Sequence, residues 1–189
     1  YTGCDGPSSA RRIPQRSSLV VVMASVSESR IVGATAGEIW AVLADVENAR
    51  RWNATWRKIQ ITSSQRHGLG TTFVAHTEGG DEYAFEITEW DPPIRIAFAP
   101  IRDQGERYGI VLDSQVFELS EVGEGDTLVK LTARATAHGL RGHIVARLFW
   151  PGYQRHGLQL ALEALQALFE PEAEGEEEEG AGAGPAAPD

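Results

Sequence analysis

Two hydrophobic periods divide this chain. From Thr71 to Ala137 apolar and polar residues alternate, and from Arg141 to Phe169 apolar residues recur every three or four positions. The second pattern predicts the longest element, a helix over Arg141–Phe169. Ile144, Leu148, Leu158, Leu162, Leu165 and Phe169 would form its single buried seam. At ~1.5 Å per residue such a helix would reach roughly 43 Å, about the width of a small domain. Pro151, followed by Gly152, and then Arg155 interrupt the seam. Proline removes a backbone donor and clashes with the preceding turn, so a kink is expected near Arg147–Pro151. A helix broken in its middle can cover a core at one end and leave space at the other.

The alternating part predicts strands joined by short turns. Thr71–Thr77 is rich in strand-forming residues, Gly79-Gly80 turns the chain, and Tyr83, Phe85 and Ile87 alternate with polar or small neighbours. Asp91-Pro92-Pro93 cannot sit in a ladder and marks a rigid corner. Ile94, Ile96 and Phe98 alternate next, a polar loop occupies Arg102–Glu106, and Tyr108–Leu119 reads as a long strand. Gly123–Asp126 is a hairpin turn, followed by Val129, Leu131, Ala133, Ala135 and Ala137 on one face. This is an antiparallel meander with one face buried. Ahead of it, Glu28–Thr35 predicts a first strand and Ala36–Ala44 a helix, with Thr35 and Glu38 spaced as a capping box. Asp45 is placed to cap a second short helix ending at Trp52, and Trp56–Ser63 returns to strand. The fold class is α+β: one strand, two short helices, about six further strands and a long helix. A strongly curved sheet gripping that helix buries both apolar faces.

Composition and charge refine the boundaries. The chain has 189 residues, 42% hydrophobic and 23% charged, which predicts one domain with tails. Of the formal charge of −10, eight acidic and no basic residues fall in Glu170–Asp189, leaving −2 for the rest. Residues 171–189 therefore read as an acidic disordered tail, and 25–170 as the domain. Residues 1–24, rich in Gly, Pro, Ser and Arg, read as a disordered or non-native extension, and Met23 is expected to be the natural start. The run Leu19–Met23 is shorter than the ~7 apolar residues a signal peptide requires. No stretch reaches the ~20 apolar residues of a membrane span. No basic stripe points to nucleic acid, and the average charge gives no general attraction to anionic membranes. Cys4 is the only cysteine, which excludes a disulfide framework and fits a reducing, cytoplasmic setting. Five histidines without ligand-type spacing predict no metal site. No phosphate loop, nucleophile elbow or Ser-His-Asp grouping occurs, so no cofactor is expected.

Four stretches resemble a known superfamily. AGEIWAVLADVENARRWN (36–53) is similar to its paired helices ending in Trp, and HGLGTTF (67–73) to its Gly-x-Gly turn into the third strand. ITEWDPPIRIAF (87–98) is similar to its acidic, Asp-Pro-Pro corner, and SQVFELSEVGEGDTLVKLTARA (114–135) to its closing hairpin. In this order, and with the final helix, they resemble the START/Bet v 1-like helix-grip (SRPBCC) proteins, and within them the polyketide cyclase/dehydrase-like group. The resemblance implies a hydrophobic cavity between sheet and long helix, holding a polyketide, lipid or isoprenoid. It transfers no catalytic set.

Candidate residues follow from position. If Phe117 and Leu119 face inward, strict alternation turns Asp113 and Gln115 inward too. Asp113 is then a candidate acid or base and Gln115 a ligand hydrogen-bonder, unless a bulge or strand end puts Asp113 in water. His76 is a second catalytic candidate, histidine being the residue type most often used as a general base, but its face is not decided by the pattern. Tyr83 is the third. His138 and His143 read as surface residues, and His156 as either cavity-facing or solvated. Arg155 either anchors an anionic head group or buries its stem and carries its charge to the mouth. Phe73, Tyr83, Phe85, Phe98, Tyr108, Phe117, Phe149 and Tyr153 are the aromatic residues expected to bind ligand, with hydroxyls as polar anchors. Three functions compete: a carrier of a small hydrophobic molecule, a polyketide cyclase/aromatase-like dehydratase, and an interaction module whose groove takes a partner's apolar segment.

Overall fold

The computed structural model describes residues 22–101 and 108–170. The expected extension up to residue 21, the Arg102–Glu106 loop and the tail 171–189 lie outside the described residues. Seven strands form one antiparallel sheet: β1 (Val22–Val32), β2 (Trp56–Ile61), β3 (Thr72–Thr77), β4 (Glu82–Asp91), β5 (Arg95–Pro100), β6 (Ile110–Gly123) and β7 (Asp126–Ala137). Their order across the sheet is β1-β7-β6-β5-β4-β3-β2. Strands β2 to β7 thus form the expected meander, and β1 closes its far edge against β7. The curved sheet and the C-terminal helix make the helix-grip arrangement.

Local chemistry sets the ends of the first helix. α1 (Ala36–Ala44) starts at the capping box: Thr35 Oγ1 accepts from the Glu38 amide, and the Glu38 carboxylate accepts from the Thr35 amide at 2.9 Å. Ile39 and Leu43 bury the inner face. The predicted second helix is a tight 3-10 segment, Val46–Arg51, in which Asp45 caps no backbone amide and accepts instead from the Asn48 side chain at 2.7 Å. This segment delivers Trp52 into the core.

Two expectations about element bounds are corrected. The first strand begins at Val22, not Glu28, and Met23 is its second residue. β7 runs to Ala137 and supplies partners for these residues, Val22 opposite Ala137 and Met23 opposite Thr136. The small side chains of Ala24, Ser25 and Ser27 that follow hide the period from a sequence reading. The long helix is two helices, α2 (Gly139–Leu148) and α3 (Trp150–Ala167), broken at Phe149 inside the predicted kink, with Pro151 in the first turn of α3. Proline fits there because first-turn amides have no helical partner.

The seam holds in α3, where Leu158, Leu162 and Leu165 are buried, and fails in α2, where Ile144 and Leu148 are exposed. α2 packs instead through Gly142 and Ala146. A Cβ on Gly142 would stand 2.3 Å from the Gly109 carbonyl oxygen, so only glycine permits this contact between the α2 backbone and the turn that leads into β6. Gly109 itself has φ +82° and accepts from the His138 amide at 2.7 Å. Small residues set the face of α2, and a reading of large apolar residues follows the wrong side.

Candidate functional site

One end of the concave face is full. Trp52, delivered by the 3-10 segment, meets Phe117 at 5.2 Å between ring centroids, and Trp56 meets Phe85 at 5.4 Å. Phe73 joins Phe85 at 5.6 Å and Phe98 at 6.0 Å. Each such pair adds about 0.5–1.5 kcal/mol beyond the area it buries. Phe73, Phe98 and Phe117, expected to line the pocket, are fully buried in this plug. They are core.

The other end is open. Between the β4–β6 strands and the junction of α2 with α3 lies a cavity of about 930 Å³. That is the upper range for small-molecule sites, about 300–1,000 Å³. Of the expected aromatic residues, Tyr83, Phe85, Tyr108, Phe149 and Tyr153 line it. Phe85 is the shared wall, packed on Trp56 behind and facing the cavity in front.

The sequence reading missed more than half of the lining. Ile110 and Leu112 come from the start of β6, and Arg141 and Val145 from α2, where with Phe149 they stand four residues apart on one stripe. That spacing is visible in the sequence, but the Ile144–Leu148 seam, one position away, hid it. Polar groups gather at the mouth: the Tyr83, Tyr108 and Tyr153 side chains, Asp81, Gln154 and Arg141. The Arg141 guanidinium lies over the Tyr108 ring, 5.1 Å from its centroid. Tyr108 is held at φ +59°, a left-handed conformation that costs of order 1 kcal/mol for a non-glycine residue.

Asp113 is not in the cavity. The β6–β7 register shifts between Leu112 and Ser114, so Asp113 is the extra residue of a bulge. Ile110 and Leu112 face inward before it, and Gln115, Phe117 and Leu119 after it. Asp113 turns to the convex side, where its Oδ2 accepts from the Thr136 hydroxyl at 2.8 Å. His76 is on the convex face as well, since its neighbours Phe73 and Ala75 are the buried residues of β3. Its Nδ1 stands 3.1 Å from Glu82 Oε1 on the next strand. Among the three catalytic candidates only Tyr83 reaches the cavity.

Two expected ligand contacts are also elsewhere. Gln115 lies on the concave side opposite Ala133 but is not part of the lining. Arg155 Nε donates to Glu28 Oε1 on β1 at 2.8 Å. With Arg30 to Glu163 at 2.9 Å, it clamps α3 to β1. His138 and His156 are exposed, while His143 is half-buried and its Nδ1 contacts the Gly139 carbonyl. Among the described residues no group of three or more His, Cys, Asp or Glu is placed to hold a metal. Nor is any helix there long and apolar enough to cross a membrane.

Comparisons with known proteins agree with this fold. The profile of a family described as "Polyketide cyclase / dehydrase and lipid transport" matches residues 23–170. Among curated proteins no sequence matches significantly. Norcoclaurine synthase from Thalictrum flavum, solved as a point mutant in complex with a transition-state analogue, superposes with a TM-score of 0.62 at 18% identity, over 79% of this chain and 95% of that one. XoxI from Bacillus cereus superposes at 0.60 with 14% identity, over 77% of this chain and 95% of that one. A hypothetical protein from Helicobacter pylori gives 0.60 and 16%, over 77% and 88%. At these identities the likeness is one of fold.

Proposed function

The chain belongs to the polyketide cyclase/dehydrase and lipid transport family, and from that premise we propose that it binds a small hydrophobic molecule, of polyketide, lipid or isoprenoid class, in the cavity between sheet and α2–α3. The observation that carries the reading is the division of the concave face. An aromatic plug fills one end, and about 930 Å³ stays open at the other, walled by Phe85, Ile110, Leu112, Val145 and Trp150. Apolar walls supply affinity, and the few hydroxyls at the mouth orient a polar end. Carriage is favoured over catalysis because Asp113 and His76 stand on the opposite face of the sheet.

A second reading, a cyclase or dehydratase, rests on Tyr83 and Asp81 sharing the cavity wall. A phenol and a carboxylate at one mouth can pass a proton to or from a carbonyl-bearing chain. On the same fold, norcoclaurine synthase is seen in complex with dopamine and hydroxybenzaldehyde, so the architecture holds small aromatic compounds in at least one enzyme.

Native mass spectrometry of the purified full chain tests binding. One co-purified or added apolar molecule per chain is expected, from a panel of fatty acids, isoprenoid alcohols and aromatic polyketides. A chain that stays empty across the panel contradicts it. Turnover of a bound polyketide that disappears in Tyr83→Phe, with binding retained, would move the assignment to the enzyme.

A further inference from the structure

A surface helix ordinarily turns its apolar stripe to the core and its charges to water. α2 does the reverse. It rests on the sheet through Gly142 and Ala146, and on the side facing away stand Leu140, Ile144 and Leu148, exposed by 80%, 48% and 66%. At roughly 100° per residue these three cover about 80° of the helix surface, with Arg147 on one margin and Arg141 on the other. Phe149 and Tyr153, exposed by 65% and 79%, extend the apolar face onto the start of α3. Single exposed apolar residues need no explanation, but five along one rim mark a contact surface.

Charge identifies the partner. Acidic residues outnumber basic ones in the chain, 27 to 17, yet from Thr127 to Leu162 there is no Asp or Glu, and Lys130, Arg134, Arg141, Arg147 and Arg155 are all basic. Lys130 is paired with Glu118 and Arg155 with Glu28. Among the described residues no carboxylate lies within ion-pair distance of Arg141 or Arg147. Aliphatic side chains between two arginines that have no carboxylate partner there, Arg147 and the Arg141 that lies over the Tyr108 ring, fit the boundary between lipid phosphates and acyl chains.

We propose that α2 docks the protein on an anionic bilayer, with Leu140, Ile144 and Leu148 in the acyl boundary and Arg141 and Arg147 against lipid phosphates. The next stripe of the same helix, Arg141 and Val145, continued by Phe149 at the break, lines the cavity. Docking therefore sets the cavity mouth against the membrane, and an apolar ligand passes between them with little exposure to water. That purpose rests on the ligand-binding reading; the docking surface does not.

Flotation of the full chain with ligand-free vesicles tests it. Binding is expected to vesicles of phosphatidylcholine mixed with phosphatidylserine, weakening as salt is raised. Partition is expected to fall at least about ten-fold in the triple variant Leu140→Ser, Ile144→Ser, Leu148→Ser. A fall is also expected in Arg147→Glu. Both variants should keep the wild-type circular dichroism spectrum and wild-type binding of the cavity probe anilinonaphthalene sulfonate. The proposal is overturned if the wild type stays in the aqueous fraction, if the triple variant floats as well as the wild type, or if binding ignores both serine lipid and salt. A concentration-dependent dimer that the triple variant abolishes, without flotation, would give the face to a second copy of the chain. Flotation without probe binding would sink the cavity reading and leave the docking intact.

Discussion

The Asp113 bulge shows how one residue redirects a site. Alternation is reliable along a strand only while the register holds, and a bulge adds one residue and swaps the faces. The inward Phe117 and Leu119 were legible in the sequence; the shift at Leu112/Ser114 was not, because no glycine or proline marks it. The carboxylate consequently serves Thr136 on the convex side. Asp113→Ala should lower stability by about 1 kcal/mol, the net worth of one partly buried hydrogen bond, and leave the affinity for an apolar ligand unchanged. Thermal melts and a ligand titration on the same variant check both halves. An affinity loss without a stability loss would return Asp113 to the cavity.

Acid sensitivity also belongs to single residues. Glu118 accepts a hydrogen bond from Lys130, 3.0 Å away, and stands near Arg95 and Arg134, which together hold its carboxyl below the ordinary range. Glu38 is held low by the hydroxyl and then the amide of Thr35. A carboxyl whose folded pKa is depressed contributes stability that is full above its unfolded pKa and lost as pH falls through the folded one. The Tm is therefore expected to be insensitive to these groups above about pH 5 and to fall with acid below about pH 4.5. Substituting both, Glu38→Gln with Glu118→Gln, should shallow that fall. An identical acid limb in the double variant would place the sensitivity elsewhere.

At the scale of elements, strands and α1 were readable because their signals are local: alternation, turn residues, and a capping box three residues long. The C-terminal helices were readable only in part. Proline and glycine announced a break near Phe149, and Leu158, Leu162 and Leu165 announced the face of α3. The face of α2 was set by a long-range fit, Gly142 on Gly109, which no periodicity reports. Gly142→Ala tests that fit. A methyl at 2.3 Å from the Gly109 carbonyl forces α2 off the start of β6. A stability loss of about 1–3 kcal/mol is expected, the usual cost of overpacking, measured by denaturant unfolding. Hydrogen exchange should quicken in α2 before α3. A neutral substitution would mean that α2 is not seated by this contact.

At the scale of the whole molecule, the container was legible and its shape was not. The order of motifs implied a sheet gripping a helix, but only the structure divides the concave face into an aromatic plug and an open chamber. Phe73, Phe98 and Phe117 are of the same residue type as Phe85 and Phe149, so composition does not distinguish packed aromatics from lining ones. Charge behaved similarly. The formal −10 averages an acidic tail with an acid-free stretch, and the average concealed the basic, apolar rim formed by α2. The chamber and the rim meet at one helix, whose adjacent stripes face each of them.

The most direct measurement is therefore ligand binding to a chain whose chamber is filled. Leu112 is half-buried on the chamber wall and Val145 faces it from α2. Titration of the wild type with anilinonaphthalene sulfonate should show one saturable site, and the separate variants Leu112→Trp and Val145→Trp should each weaken it by about ten-fold or more with native circular dichroism retained. Wild-type binding in both folded variants would contradict the account, because the ligand would then lie somewhere other than this chamber.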